Sequence, residues 1–279
     1  MERDAINRYF TTTDTFLVVL DSRNSTQKLN GSWNSSIIYD FQDTIRDKSQ
    51  LFKMKCSVLT FTSPNSIYII NETNNLLSIT VGGVITNYIV PYGNYNSKTF
   101  ISTLLGILPA GFSISLNNIN NKFTIKYTQD FTINSISTIY DIMGFSLGTN
   151  YASTSYSLTL PFTCNFNGLA NLNISFSNLN TNNYNSFSKS TSSIIQSIPI
   201  ATGAGQITYY KTNNYSFDIN QNSIDFIQID IQDDLGNFIN FNNKDWNLTL
   251  CFENLAEIDK YELKHNNFFN VLQNGYSIQ

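Results

Sequence analysis

The chain has 279 residues and a formal net charge of -4 at pH 7, and only 13% of its residues are charged. Hydrophobic residues make up 41% of the sequence and aromatic residues 14%, which is enough for a large packed core. Nucleic-acid-binding surfaces need clustered Lys and Arg, so the weak negative charge predicts no nucleic-acid partner. The low charged fraction suits surfaces that are buried against neighbouring molecules, and it also suits the codon usage of an AT-rich genome.

The termini and the cysteines indicate the compartment in which the chain folds. Met1 to Asp4 is charged and no apolar run follows it, so we predict no secretory signal. The apolar run Phe16 to Leu20 is too short to cross a bilayer, and no membrane-spanning segment is predicted. Three widely separated cysteines give no disulfide framework and fit a reducing compartment.

The first quarter of the chain is rich in strand patterns. Residues 1–30 are predicted to form an N-terminal arm, in which Phe16 to Leu20 is a strand that pairs with this chain's own sheet or with a neighbour's. Residues 31–75 begin a β sandwich. Its predicted strands here are Ile37 to Phe41, Met54 to Thr62 and Ser66 to Asn71.

Residues 76–150 change in character and predict a small inserted α+β module with the order ββαββα. Gly82-Gly83 between two apolar runs is typical of a hairpin turn. Residues 98–108 have helical spacing, with Asn96 or Ser97 as the N-cap. A second short helix is predicted at 135–143, ending at Gly144.

Residues 151–256 return to short strands and complete the sandwich. Near its end, Ile227, Ile229 and Ile231 alternate in the period of a half-buried strand. The acidic segment 233–237 has the composition of a turn, and 247–253 alternates again. These patterns predict a mainly β protein, a single jelly-roll β sandwich (31–75 and 151–256) with the inserted module, and a C-terminal tail at 257–279.

Residues that could carry out catalysis are scarce. The single histidine, His265, lies in the polar tail, where a histidine is usually exposed to solvent. Cys56, Cys164 and Cys251 have apolar neighbours that do not lower a thiol pKa, and no Cys-x-x-Cys pair suggests zinc. We therefore predict no enzyme activity, no catalytic residues, no cofactor and no bound metal.

The acidic residues near the end of the sandwich allow two other interpretations. Asp230, Asp233 and Asp234 could supply paired carboxylates for sugar hydrolysis, and with Asn237 they could bind calcium through oxygen atoms. Their spacing does not match a 12-residue calcium loop, and Gly236 completes a turn. We favour Asp233 and Asp234 as turn-forming residues.

Six segments of the chain form an ordered set of short motifs. They are Val19-Leu20-Asp21-Ser22-Arg23-Asn24, Trp33-Asn34-Ser35, Pro91-Tyr92-Gly93-Asn94-Tyr95, Ile139-Tyr140-Asp141-Ile142-Met143-Gly144-Phe145, 194–200 and 233–250. Taken in this order, they resemble the minor capsid (penton) proteins of virophages and Polinton-like viruses, in which Leu is more usual at the position of Met143.

This resemblance implies a jelly roll at the fivefold vertices of an icosahedral virion. It implies a homopentamer that contacts the major capsid protein and is assembled in the host cytoplasm. The alternative is a viral spike or fibre head that binds a host receptor or glycan, with exposed tyrosines such as Tyr92 and Tyr95 as contact residues.

Overall fold

The computed structural model describes residues 9–46, 53–179, 183–185, 190–212, 215–219 and 223–258. The chain divides into two compact units. The first unit includes the chain up to Ser66 and again from Asn171, and the second spans Ile67–Ala170. The second unit is longer at both ends than the predicted module at 76–150. The additional residues belong to it because Ile70, Leu158 and Leu160 are buried in its core.

The first unit begins with a long strand where an arm is predicted. Strand β1 covers Tyr9–Asp21, and the strands that follow in this part of the chain are β2 (Gln27–Lys28), β3 (Ser36–Arg46) and β4 (Lys53–Pro64). Of the two alternatives for the predicted strand at 16–20, pairing with this chain's own sheet is the one that the structure has, and the strand is longer than predicted. β1 pairs along its whole length with a strand near the other end of the chain.

The second unit contains most of the predicted elements and three further short strands. Its elements are β5 (Leu76–Val81), β6 (Val84–Ile89), α1 (Ser97–Ile107), β7 (Ser113–Asn117), β8 (Lys122–Lys126), β9 (Phe131–Ile133), α2 (Tyr140–Met143), β10 (Tyr151–Ala152) and β11 (Ser157–Thr159). They form a four-stranded sheet, β10-β9-β5-β6, and a three-stranded sheet, β11-β8-β7. Phe100 of α1 is fully buried and packs on Phe123 of β8, with ring centroids 5.8 Å apart.

The local signals for turns and caps in the second unit are mostly confirmed. Gly82 and Gly83 both have positive φ and form the two-residue hairpin turn. Asn96, not Ser97, is the N-cap of α1, and its side chain accepts from the Thr99 amide at 3.0 Å. Gly144 ends α2 with a φ of +83°.

Two predicted elements of this region differ from the structure. Residues 66–71 do not form a strand, because side-chain amides satisfy the backbone there: Asn94 accepts from the Ile69 amide, and Asn74 donates to the Ile69 carbonyl. The second helix is a single turn. Its predicted first half is irregular, and there the buried Ser137 hydroxyl accepts from the Ser78 amide instead.

After Ala170 the chain returns to the first unit. Its remaining strands are β12 (Asn171–Phe176), β13 (Asn183–Asn185), β14 (Ser190–Ser192), β15 (Ile194–Pro199), β16 (Ile207–Lys211), β17 (Phe217–Ile219), β18 (Ser223–Gln232) and β19 (Asn247–Ile258). One sheet has the order β1-β19-β4-β16, with β17 also paired to β4. The other has the order β15-β12-β18-β3-β2.

The strand order is that of a jelly roll. Leaving out the short β2, β13, β14 and β17, the first unit has eight strands in chain order. The first pairs with the eighth (β1 with β19), the second with the seventh (β3 with β18), the third with the sixth (β4 with β16) and the fourth with the fifth (β12 with β15), all antiparallel. This is a long hairpin rolled into two sheets, which confirms the predicted fold class.

The core of the sandwich comes from the inward positions of both sheets. Leu248, Leu250 and Phe252 of β19 are fully buried, as the alternation predicts. The ring of Phe176 in one sheet lies 5.9 Å from that of Phe217 in the other. The second unit has a separate buried cluster of its own, and the described chain contains no helix long and apolar enough to cross a membrane.

Candidate functional site

Segments that are far apart in the sequence meet at one end of the sandwich, which we call the loop end (residues 21–35, 64–66, 200–206 and 233–246). Ser22 lies at its centre. The Ser22 amide donates to the Trp246 carbonyl and the Trp246 amide donates to Ser22 Oγ, both at 3.0 Å. Ser22 Oγ in turn donates to Asp245 Oδ1. The Asp-Ser-Arg segment is thus locked to the loop between β18 and β19.

Trp246 and Asn34 complete this arrangement. Trp246 is fully buried, and its Nε1 donates to the Asn34 carbonyl at 2.7 Å. Asn34 has a φ of +62°, a conformation that Asn tolerates better than most residues. Its side-chain amide donates to Ser22 Oγ and to the Lys244 carbonyl. Three of the segments that resemble penton proteins therefore form one hydrogen-bonded corner.

The loop between β18 and β19 bonds to the residues of the first unit that precede and follow the second unit in the sequence. Ser66 Oγ donates to the Phe241 carbonyl at 2.6 Å, and the Asn242 side chain donates to the Ser66 carbonyl. On the return, the side-chain amides of Asn171 and Asn173 donate to Asp234. The loop between β18 and β19 thus holds both ends of the chain segment that forms the second unit.

The acidic segment behaves as a structural turn, with different roles for its two neighbouring aspartates. Asp233 accepts from the backbone amides of Leu235 and Asn237, each at 2.8 Å, and Gly236 has a φ of +85°. Asp233 is therefore confirmed as a turn-forming residue. Asp234 is the next residue of the same turn, and its carboxylate accepts from the side-chain amides of Asn171 and Asn173 in β12.

Asp230 belongs to a different environment from this turn. It is buried in β18, where the hydroxyls of Ser36 and Ser177 donate to its carboxylate. The carboxylates of the three aspartates therefore have separate sets of partners. Among the described residues, no group of three or more His, Cys, Asp or Glu side chains could hold a metal ion.

The three thiols lie in environments that favour the protonated form. Burial raises the pKa of Cys56 well above its usual value. Burial also raises the pKa of Cys164 and of Cys251, and the nearby Glu253 carboxylate contributes to the shift at Cys251. A nucleophilic cysteine needs a lowered pKa, so these thiols have the chemistry of small core residues. His265, the candidate base, lies outside the described residues.

The two tyrosines that could contact a glycan have different environments. Tyr92 is exposed. Tyr95 donates its hydroxyl to the Pro91 carbonyl at 2.8 Å, and its ring packs edge-on against Phe100. Tyr95 is thus partly buried in the scaffold of the second unit, and Tyr92 is the more exposed of the two.

Two exposed apolar regions lie on the sheet β1-β19-β4-β16, and no pattern in the sequence alone identifies them. On β1, side chains alternate between the two faces of the sheet. Phe16 faces the core and stacks on the buried Phe252, with ring centroids 5.3 Å apart, so Leu17 and Val19 point outward. Leu17 is 60% exposed and Val19 is 71% exposed. We call them the β1 patch.

The opposite edge of the same sheet carries the second region. On β16, Ile207 and Tyr209 are both 64% exposed, and the intervening Thr208 is buried. We call Ile207 and Tyr209 the β16 patch. Both patches consist of apolar residues at outward positions of a strand. Such residues can be recognised in the sequence only when the inward face of the strand is known.

Comparison with known proteins adds structural similarities and no family. No family model and no curated protein matches the chain. The chain is similar to the mavirus penton protein, known from a crystal structure of its selenomethionine form, with a TM-score of 0.46 and 14% identity over 86% of this chain and 100% of that one. It is more distantly similar to VP17, a capsid protein of bacteriophage P23-77, with a TM-score of 0.18 and 5% identity over 89% of this chain and 99% of that one.

Proposed function

We propose that this chain is a structural protein of a virus capsid, a minor capsid (penton) protein that forms a homopentamer at the icosahedral vertices and contacts the major capsid protein. The observation that carries the proposal is a jelly roll with two different apolar patches at opposite edges of one sheet. A ring of identical subunits needs two such complementary surfaces, because each subunit presents one surface to each neighbour. The number five comes from the sequence resemblance.

The loop end supports the same proposal. Ser22, Asn34 and Trp246 join three of the segments that resemble penton proteins into one hydrogen-bonded corner. A corner of this kind suits a structural scaffold. The weakly charged composition also suits a protein whose surface is largely buried by its neighbours in a virion.

The first experiment measures the mass of the isolated chain by sedimentation equilibrium and native mass spectrometry. We expect a mass that is a multiple of five chains, and labelling of purified particles is expected at the fivefold vertices. A chain that is absent from particles would refute the capsid function. A chain that is present in particles but away from the vertices would refute the penton assignment.

A pair of variants tests whether the patches form the ring contact. Leu17→Lys with Val19→Lys alters the β1 patch, and Ile207→Lys with Tyr209→Lys alters the β16 patch. We expect neither double variant alone to form rings, since every contact in a head-to-tail ring uses both patches. An equimolar mixture should form complexes that contain both variants, because one variant still has an intact β1 patch and the other an intact β16 patch. Rings that persist in either variant would refute this contact.

A further inference from the structure

Strand β6 is an edge strand with an unusual exposure. Among the described strands it pairs only with β5, and five of its six side chains are exposed. Its sequence, Val84-Ile-Thr-Asn-Tyr-Ile89, contains no charged residue and no proline. Natural edge strands usually carry such residues because they prevent pairing with another chain. Strand β6 therefore lacks the usual protection.

The hairpin register determines which backbone groups of β6 are unused. Val81 and Val84 flank the two-residue turn, so they form a hydrogen-bonded pair, and every second pair after them does so as well. The bond from the Val90 amide to the Asn75 carbonyl, at 2.9 Å, confirms this alternation. Val84, Thr86 and Tyr88 therefore bond to β5. The amides and carbonyls of Ile85, Asn87 and Ile89 point to the open edge.

The side chains of β6 follow the same alternation. Thr86 and Tyr88 stand beside Ile79 and Leu77, which are buried in the core of the second unit. Ile85, Asn87 and Ile89 are on the opposite face of the sheet. Ile85 is 64% exposed and Ile89 is 57% exposed, so two large apolar side chains flank Asn87 on one face.

We propose that β6 pairs with β6 of a second copy of this chain, antiparallel and across a two-fold axis at Asn87. In this register Asn87 is opposite Asn87 of the second copy, and Ile85 is opposite Ile89. All three residues with outward backbone groups are then used, which gives about six hydrogen bonds, two for each pair. The Ile side chains form cross-strand apolar contacts on one face, and no like charges oppose each other. The symmetry of Ile85 and Ile89 about Asn87 is what selects a second copy as the occupant.

This contact is separate from the ring contact proposed above. A two-fold contact uses the same surface on both chains, whereas a ring uses two different surfaces. Five is an odd number, so two-fold pairs within one ring would leave a chain unpaired. Pairing through β6 therefore joins chains of two different rings. It would also join two isolated chains if no ring forms, so its test does not depend on the proposed function.

The main test is Asn87→Pro in the full chain. Proline removes the central outward amide but no bond to β5, so the hairpin is retained. We expect wild-type masses to be twice those of the variant: ten chains against five if the ring forms, two against one if it does not. Loss of the two central hydrogen bonds should raise the dissociation constant roughly 30-fold or more.

A charge test examines the register itself. Ile85→Lys with Ile89→Lys sets like charges opposite each other in the two-fold pair, and should abolish pairing. Ile85→Lys with Ile89→Glu sets opposite charges across the same axis, and should restore it. Ile119→Lys is the matched control, because Ile119 is 95% exposed in the turn between β7 and β8 and should leave the mass unchanged.

Amide hydrogen exchange gives an independent readout on the wild-type chain. The amides of Ile85, Asn87 and Ile89 should become protected as the protein concentration rises, while those of Thr86 and Tyr88 are protected throughout by β5. Wild-type protein that shows neither doubling nor this alternating protection at high concentration would overturn the proposal. A second outcome would also overturn it: the Asn87→Pro variant loses a different bound protein, while the purified wild-type chain and the purified variant have the same mass. The partner of β6 would then be that protein and not a second copy.

Discussion

Gly144 and Gly148 offer a matched pair for testing how closely the second unit is packed. Both have positive φ, +83° and +78°. A Cβ at Gly144 would lie 2.4 Å from the Phe162 carbonyl oxygen and 2.7 Å from that of Thr163, whereas a Cβ at Gly148 would meet nothing within 4 Å. Ala at either position incurs the same conformational penalty, and only Ala at 144 also collides with the backbone.

The expected magnitudes follow from these contacts. Gly148→Ala should lower the free energy of unfolding by about 1 kcal/mol, the cost of a left-handed conformation with a Cβ. Gly144→Ala has that cost, and the displaced backbone would also lose the bond from the Phe162 amide to the Gly144 carbonyl, at 2.9 Å. Adding about 1 kcal/mol for this bond and about 1–3 kcal/mol for overpacking gives about 3–5 kcal/mol in total.

The assay can separate the two units, because both tryptophans, Trp33 and Trp246, lie in the first one. Tryptophan fluorescence during urea unfolding therefore reports on the sandwich, and hydrogen exchange of peptides from 67–170 reports on the second unit. We expect Gly144→Ala to increase exchange in 67–170 far more than Gly148→Ala does. Equal effects of the two substitutions, within about 0.5 kcal/mol, would refute the close contact at Gly144.

Three further predictions concern the sandwich. Trp246→Phe should lower the free energy of unfolding by about 2–4 kcal/mol, because it leaves a cavity and removes the donor to the buried Asn34 carbonyl. Urea unfolding followed by circular dichroism measures this change, and an unchanged free energy of unfolding would contradict a structural role of this corner. The hydrogen bond from Arg23 lowers the pKa of the Asp21 carboxyl. The ionised carboxylate therefore stabilises the folded state by less than about 1 kcal/mol above about pH 4, and this contribution is lost as the pH falls through the lowered pKa. In Asp21→Asn, the free energy of unfolding should depend less on pH below about pH 4 than in the wild-type chain. The same pH dependence in both proteins would contradict this. Iodoacetamide should modify Cys56 only after unfolding, read by mass spectrometry, since the thiol is buried and its pKa is raised; rapid labelling of the native chain would contradict this.

The sequence predicts well those features that depend on a few adjacent residues. The Gly82-Gly83 turn, the cap at Asn96 and the end of α2 at Gly144 are set by backbone conformations that these residue types favour. The inward face of β19 follows from strict alternation. Residues 66–71 were predicted incorrectly because side-chain amides from elsewhere in the second unit replaced the strand hydrogen bonds, and no local pattern indicates that.

For the exposed surfaces too, the sequence shows the residue types but not their positions in the sheets. An outward Leu17 or Ile207 cannot be distinguished from a core residue until the register of β1 and β16 is known. Strand β6 has the sequence of an ordinary buried strand, and only its place at the end of the sheet order makes it an open edge. The signal available in the sequence is the lack of charge and proline in Val84–Ile89, which matters only for an edge strand.

By itself, the sequence determined that this is a β protein with an inserted α+β module, because alternation, turn residues and helix caps act over a few residues. The tertiary structure alone decided which strands pair, and so that β1 pairs with this chain's own sheet. It also decided that Ser22, Asn34 and Trp246 share one corner, and which apolar side chains remain uncovered. These outcomes depend on contacts between residues more than two hundred positions apart in some cases, such as Ser22 and Trp246, and no local pattern in the sequence specifies them.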